Sequence, residues 1–104
     1  GHERCGAVKA TVDALAGKTD EADRETRIGA LAALIAPSVK AVPANAPDKL
    51  DAAVSLNAAN AAADLFIKSP PLRQRVMAGE LKIVAARYDL DDGTVVPAKG
   101  QLPG

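Results

Sequence analysis

Only one stretch of this chain reads as a strand, and it constrains everything the other residues can build. Between Leu81 and Leu90, the positions Leu81, Ile83 and Ala85 alternate with Lys82, Val84 and Ala86. This largely apolar run suits a strand covered on both faces. Such a strand needs hydrogen-bonded neighbours, and no second run of the kind occurs in the 104 residues. The expected fold is therefore α/β and mostly helical, with one main buried strand whose sheet partners come from another segment or another chain. Asp91-Asp92-Gly93 is a turn signal, after which Thr94-Val95-Val96 folds back as a short hairpin arm. From residue 97 to residue 104 the chain reads as a tail without pattern.

The remaining apolar residues follow helical spacing. Val8, Val12 and Leu15 share one face of a helix over residues 5–16, with Gly17 as its stop. Lys18 to Thr26 alternates in charge and reads as a solvated connection. Ile28, Leu31, Leu34 and Ile35 form a second stripe, which Pro37 is expected to interrupt or kink, with Val39 and Val42 on the same face. Prolines 37, 43 and 47 mark a turn-rich connection. Asp48 then caps the longest helix, to Lys68, striped by Leu50, Val54, Ala58, Ala61, Ala62 and Leu65. Asn57 and Asn60 interrupt its alanine surface and read as solvent-facing or locally satisfied amides rather than as groups serving a site or a dimer contact. Ser69-Pro70 starts a short helix that buries Leu72, Val76 and Met77 and closes at Gly79.

Composition removes several functions. Thirteen basic and thirteen acidic residues balance, so no excess charge points to nucleic acid or an acidic membrane. Phe66 and Tyr88 are the only aromatics, which leaves little for stacking on bases or sugars. No apolar run approaches the roughly 20 residues that span a bilayer. A single cysteine excludes an internal disulfide, and nothing fixes a compartment. Alanine supplies much of the apolar count, so the core depends on close helix approach or on partner surfaces.

The chemistry concentrates in Gly1-His2-Glu3-Arg4-Cys5-Gly6-Ala7-Val8-Lys9. His2 and Cys5 are separated by two residues where a turn enters a helix. Imidazole and thiolate are side chains that zinc prefers, so the pair can hold one Zn²⁺. The plainer alternative is a turn histidine and a small apolar cysteine. A Cys5–His2 nucleophile pair is chemically conceivable, but two residues this close around a turn converge more naturally on a metal. Because His2 is the only histidine, no nucleophile–His–acid triad arises. Asp89, Asp91 and Asp92 surround a turn glycine without the spacing of a calcium loop, and read as turn chemistry.

Gly-His-x-x-Cys-Gly-Ala-Val-Lys-Ala, Asn57-Ala58-Ala59-Asn60, Ser69-Pro70, Leu72-Arg73 and Gly79 to Gly93 together resemble the C-terminal half of the β-class carbonic anhydrases. The resemblance spans roughly residues 1–96, expected as the C-terminal part of a single domain, and is least distinctive from Gly17 to Asp51. It implies His2 and Cys5 as two ligands of a catalytic Zn²⁺, and Gly6 as a backbone contact to the substrate pocket; the alternative for Gly6 is a sterically required glycine. Family members run to about twice this length. Their Cys-x-Asp-x-Arg motif, with another zinc ligand and an Asp/Arg pair, has no match here. The implied activity is reversible hydration of carbon dioxide to bicarbonate, together with the missing N-terminal portion, in a homodimer or homotetramer. This segment alone is expected to be inactive. Two alternatives stand beside it: a truncated non-catalytic assembly module, and a related zinc enzyme acting on carbon disulfide or carbonyl sulfide.

Overall fold

The computed structural model describes residues 1–17 and 27–98. Among them the order is α1 (Gly6–Leu15), α2 (Arg27–Ala41), α3 (Lys49–Lys68), α4 (Pro70–Met77), β1 (Ala86–Tyr88) and β2 (Val95–Pro97). The fold is thus mostly helical with a small sheet. The expected loop from Lys18 to Thr26, the side chain of Ile28 and residues 99–104 of the expected tail lie outside the described residues. The first two residues of that tail are not patternless, since Pro97 belongs to β2 and Ala98 is buried.

Helix boundaries follow local chemistry. The α1 helix ends at Gly17, whose φ of +74° is the left-handed conformation that glycine adopts without a Cβ penalty. Asp48 caps α3 by accepting the Asp51 N–H at 3.0 Å, and the Ser69 Oγ caps α4 by accepting the Leu72 N–H at 3.4 Å. Pro37 does not end its helix: α2 runs through it to Ala41. The missing N–H leaves the Ala33 carbonyl without its helical partner. Ala33 and Pro37 are both exposed, so water can satisfy that carbonyl.

Two apolar clusters hold the layers together. Val8 from α1, Ile35 and Val39 from α2, Val42 just beyond it, and Ala53 and Val54 from α3 form the first. Ala59 and Ala62 of α3, Val76 of α4, and Ile83, Ala85 and Ala98 form the second. The α3 helix is therefore the shared wall, its alanines allowing close approach on both sides. Thr11 is also buried, and its hydroxyl donates to the Ala7 carbonyl at 2.9 Å. The expected stripes are trimmed at their ends. Leu15, Leu31, Ala61 and Leu65 are exposed, and Leu34 and Met77 are 78% and 77% exposed.

Asn57 and Asn60 are not simply solvated. The Ser38 hydroxyl donates to Asn57 Oδ1 at 3.1 Å and accepts from Asn60 Nδ2 at 2.9 Å. Ser38 is only 2% exposed, so the two amides satisfy a buried hydroxyl across the α2–α3 contact.

The strand is shorter and better partnered than its sequence implies. Only Ala86–Tyr88 pairs with β2, antiparallel, in the register Ala86–Pro97, Arg87–Val96 and Tyr88–Val95. The pairing runs past Val96, because the Ala98 N–H donates to the Ala85 carbonyl at 3.0 Å. On the other side, His2 bridges Tyr88 in parallel. The Gly1 nitrogen donates to Ala86 O (3.1 Å), Tyr88 N–H to Gly1 O (2.8 Å), and Glu3 N–H to Tyr88 O (3.0 Å). The chain itself therefore supplies a neighbour on each side of β1, contrary to the expectation that both come from elsewhere. Ahead of it, Ile83 and Ala85 face the core, but Val84 is 59% exposed. The run is covered on one face, not two.

The hairpin tip is a carboxylate-built turn. Asp89 Oδ1 accepts from the Asp91 and Asp92 N–H groups, and Asp92 Oδ1 accepts from the Thr94 N–H at 2.9 Å and its hydroxyl at 2.7 Å. Those Thr94 bonds lower the Asp92 pKa from its ordinary 3.8.

Two outcomes follow from these contacts. Val54, 2% exposed in the first cluster, loses about two buried methylenes in Val54→Ala, so chemical denaturation should read a loss of about 2 kcal/mol. For Asp92, the depressed folded-state pKa gives a contribution present above the unfolded value and lost as pH falls through the folded one. NMR of the Thr94 amide should show that titration below the ordinary carboxylate value, and Asp92→Ala should abolish it.

Candidate metal centre

The sheet register places the start of the chain. Gly1–Glu3 is extended and parallel to β1, with α1 following at once. It thus forms the strand-to-helix half of a parallel crossover unit, and ligand sites in open α/β sheets lie at the carboxyl ends of parallel strands. His2 lies at that end. Gly1 is tight: a Cβ there would come within 3.2 Å of the Ala58 Cβ. A glycine opposite an alanine lets this extended segment lie against α3.

Between His2 and Cys5 the backbone reverses through a turn at Glu3-Arg4. Arg4 takes φ +54°, which among the described residues no other non-glycine shares. This left-handed conformation costs an L-residue energy and persists where its surroundings fix it. The surroundings are specific: Arg4 reaches Asp91 Oδ1 at 3.4 Å and Glu3 Oε1 at 3.6 Å. Asp91, by hydrogen bond and charge, raises the Arg4 pKa further above its ordinary value.

The two proposed ligands are free to bind. His2 is exposed, and its Nδ1 lies 3.0 Å from the Glu3 carbonyl oxygen. A carbonyl only accepts, so that contact places the proton on Nδ1 and leaves the Nε2 lone pair open, the arrangement typical of a metal-ligating imidazole. Cys5 is half-buried, unpaired with any other cysteine, and occupies the N-cap of α1 without a side-chain capping bond. It packs against the first apolar cluster, at a helix N-terminus whose first N–H groups have no intrahelical partner. An Nε2 donor and an Sγ donor suit zinc chemistry, and they are two of the three protein ligands that a catalytic zinc generally takes.

Gly6 is the first residue of α1, and a Cβ there would meet nothing within 4 Å. Its φ is not in the left-handed region. Neither sterics nor backbone conformation within the described residues requires glycine there.

Several residues at this centre carry no signal in the local sequence. The Glu3 carboxylate accepts the Leu90 N–H at 2.7 Å and the Asp91 N–H at 3.2 Å. Arg87 bridges Glu3 Oε2 (3.8 Å) and Asp51 Oδ1 (3.3 Å), with both Arg87 and Glu3 side chains under a fifth exposed. Glu3, Asp89 and Asp91 also bring oxygens within 4.8 Å of one another. Each already accepts from backbone N–H groups or pairs with Arg4, so the cluster is turn chemistry. A groove of about 440 Å³ lies nearby, lined by Asp48, Asp51, Ser55, Leu56, Arg87 and Val96 among others, and neither His2 nor Cys5 lines it.

Comparison with known proteins agrees with this geometry at the family level. No curated protein matches the chain. The sequence model described as carbonic anhydrase matches residues 1–95, which takes in the four described helices, β1, the first residue of β2 and both proposed ligands. The chain belongs to the β-class carbonic anhydrase family.

Proposed function

We propose that His2 Nε2 and Cys5 Sγ are two ligands of a catalytic zinc that serves the reversible hydration of carbon dioxide to bicarbonate, within a complete β-carbonic anhydrase. The observation that carries this is the free donor pair: an imidazole whose Nδ1 is committed to the Glu3 carbonyl, and an uncapped thiol three residues on. Zinc, when bound, supplies the Lewis acidity that makes hydroxide available for attack on carbon dioxide near neutral pH. The chain's own residues hold the donors in place. The parallel ladder to Tyr88 fixes His2, the start of α1 fixes Cys5, and Gly6, next in sequence to Cys5, would turn its N–H to the substrate. The remaining ligand, and the Asp/Arg pair that the family places beside the metal, are contributed by a segment outside these 104 residues.

Association fits the same reading. Leu34, Ile67, Met77, Val84 and Val95 are all more than half exposed, and such a scatter of large apolar groups suits burial against further sheet and subunit surfaces in a homodimer or homotetramer. These surfaces equally favour a second reading, in which the chain is a non-catalytic assembly module of the same family.

Zinc content and hydration by the intact protein separate the two, and Cys5→Ser tests the ligand. Under the catalytic reading, the intact protein binds stoichiometric zinc and hydrates carbon dioxide. Cys5→Ser then loses tight zinc by metal analysis and, with it, hydration in a stopped-flow assay. Stoichiometric zinc retained in that variant would remove Cys5 from the ligand set. An intact protein with neither zinc nor hydration supports the assembly reading, and carbon disulfide or carbonyl sulfide turnover in place of hydration would redirect the substrate.

A further inference from the structure

We infer that Glu3 is a positioning residue for this centre: its carboxylate fastens the turn between His2 and Cys5 to the tip of the β-hairpin, and so sets the direction of both donors. The inference rests on the zinc-ligand reading of His2 and Cys5.

Glu3 acts at three atoms. Its carbonyl accepts the His2 Nδ1–H, so any rotation of the Glu3–Arg4 peptide turns the imidazole with it. Its N–H donates to the Tyr88 carbonyl and keeps the segment in the ladder. Its Oε1 accepts from Leu90 and Asp91, 87 and 88 residues away along the chain. Hydrogen bonds from N–H groups to an ionised carboxylate are shorter and stronger than neutral ones, and at 2.7 Å the Leu90 bond has that length.

The carboxylate is also the least exposed member of a charged network. Glu3 is 15% exposed, with Arg4 and Arg87 as cationic neighbours, and Arg87 continues to Asp51 near the start of α3. Both oxygens are thereby engaged, which marks Glu3 as an anchor rather than a ligand. The anchor matters because the next residue is held at φ +54°. Without it the Arg4 turn is free to relax toward the ordinary negative-φ region, and that relaxation moves Cys5 relative to the imidazole.

The test is a zinc-affinity measurement on the intact protein, by competition with a chromophoric chelator and with Zn²⁺ itself as the probe. Thermal unfolding is followed in parallel. Glu3→Ala should weaken zinc by about 10- to 100-fold, the range for partners that orient metal ligands. Glu3→Gln, whose amide oxygen still accepts both N–H groups although its NH2 replaces the oxygen facing Arg87, should lose clearly less zinc affinity than Glu3→Ala. Unchanged affinity in Glu3→Ala, with only a lower unfolding temperature, overturns the inference. So does a loss in Glu3→Gln as large as in Glu3→Ala. Should the alanine variant fail to fold, Glu3→Asp keeps the charge but is one methylene short of Leu90. Weakened zinc is then expected, and unweakened zinc overturns the assignment. A wild-type protein that binds no zinc defeats the underlying zinc reading and is distinguished before any variant is compared.

Discussion

The two hydrogen bonds that Tyr88 exchanges with Gly1 and Glu3 are the constraint on which the site depends. They join residues from opposite ends of the described chain and place one extended segment parallel to β1. Once that segment is fixed, α1 must leave it through a sharp reversal, and His2 and Cys5 fall on the two sides of that reversal. The helices then have a second task. They carry the chain from the carboxyl end of the first extended segment back to the start of the second, as a parallel crossover requires.

Much of the scaffold was legible because its determinants are local. The caps Asp48 and Ser69 and the stops Gly17 and Gly79 act within a turn of their own positions, so pattern and structure coincide there. Pro37 shows where such reasoning overreaches, in expecting an interruption where the helix continues. The proline rule concerns a lost bond and a crowded carbonyl, and an exposed helix face tolerates both. Met77 and Leu65 illustrate the converse, since helical spacing identifies a face without saying whether anything covers it.

The strand and the site were legible only in part, for a common reason. Alternation in Leu81–Leu90 reports side-chain environment, whereas a strand is defined by partners, and the ladder covers Ala86–Tyr88 with one further bond at Ala85. Gly1–Glu3 pairs with β1 although three mostly polar residues show no alternation at all. His2 and Cys5 stand out by chemical type and spacing. Glu3, Arg87 and Asp91 do not, because their roles arise only when residues nearly ninety positions apart meet. Gly1 carried a weaker signal, a glycine opposite an alanine-rich helix, that becomes meaningful only once the contact is known.

The buried Ser38 hydroxyl has a consequence for how α2 and α3 find their alignment. Part of the register is set by shape, since Ile35, Val39 and Val42 pack against Ala53 and Val54, and sliding one helix past the other by a turn, about 5.4 Å, would undo that fit. The alanines of α3 add less, because one methyl resembles the next. Sliding would also carry Ser38 away from Asn57 and Asn60 and strand a hydroxyl in an apolar seam, at a cost of about 1–3 kcal/mol. The triad behaves as a detent beside that apolar fit: it adds modestly to cohesion, but it further favours one alignment of the two helices.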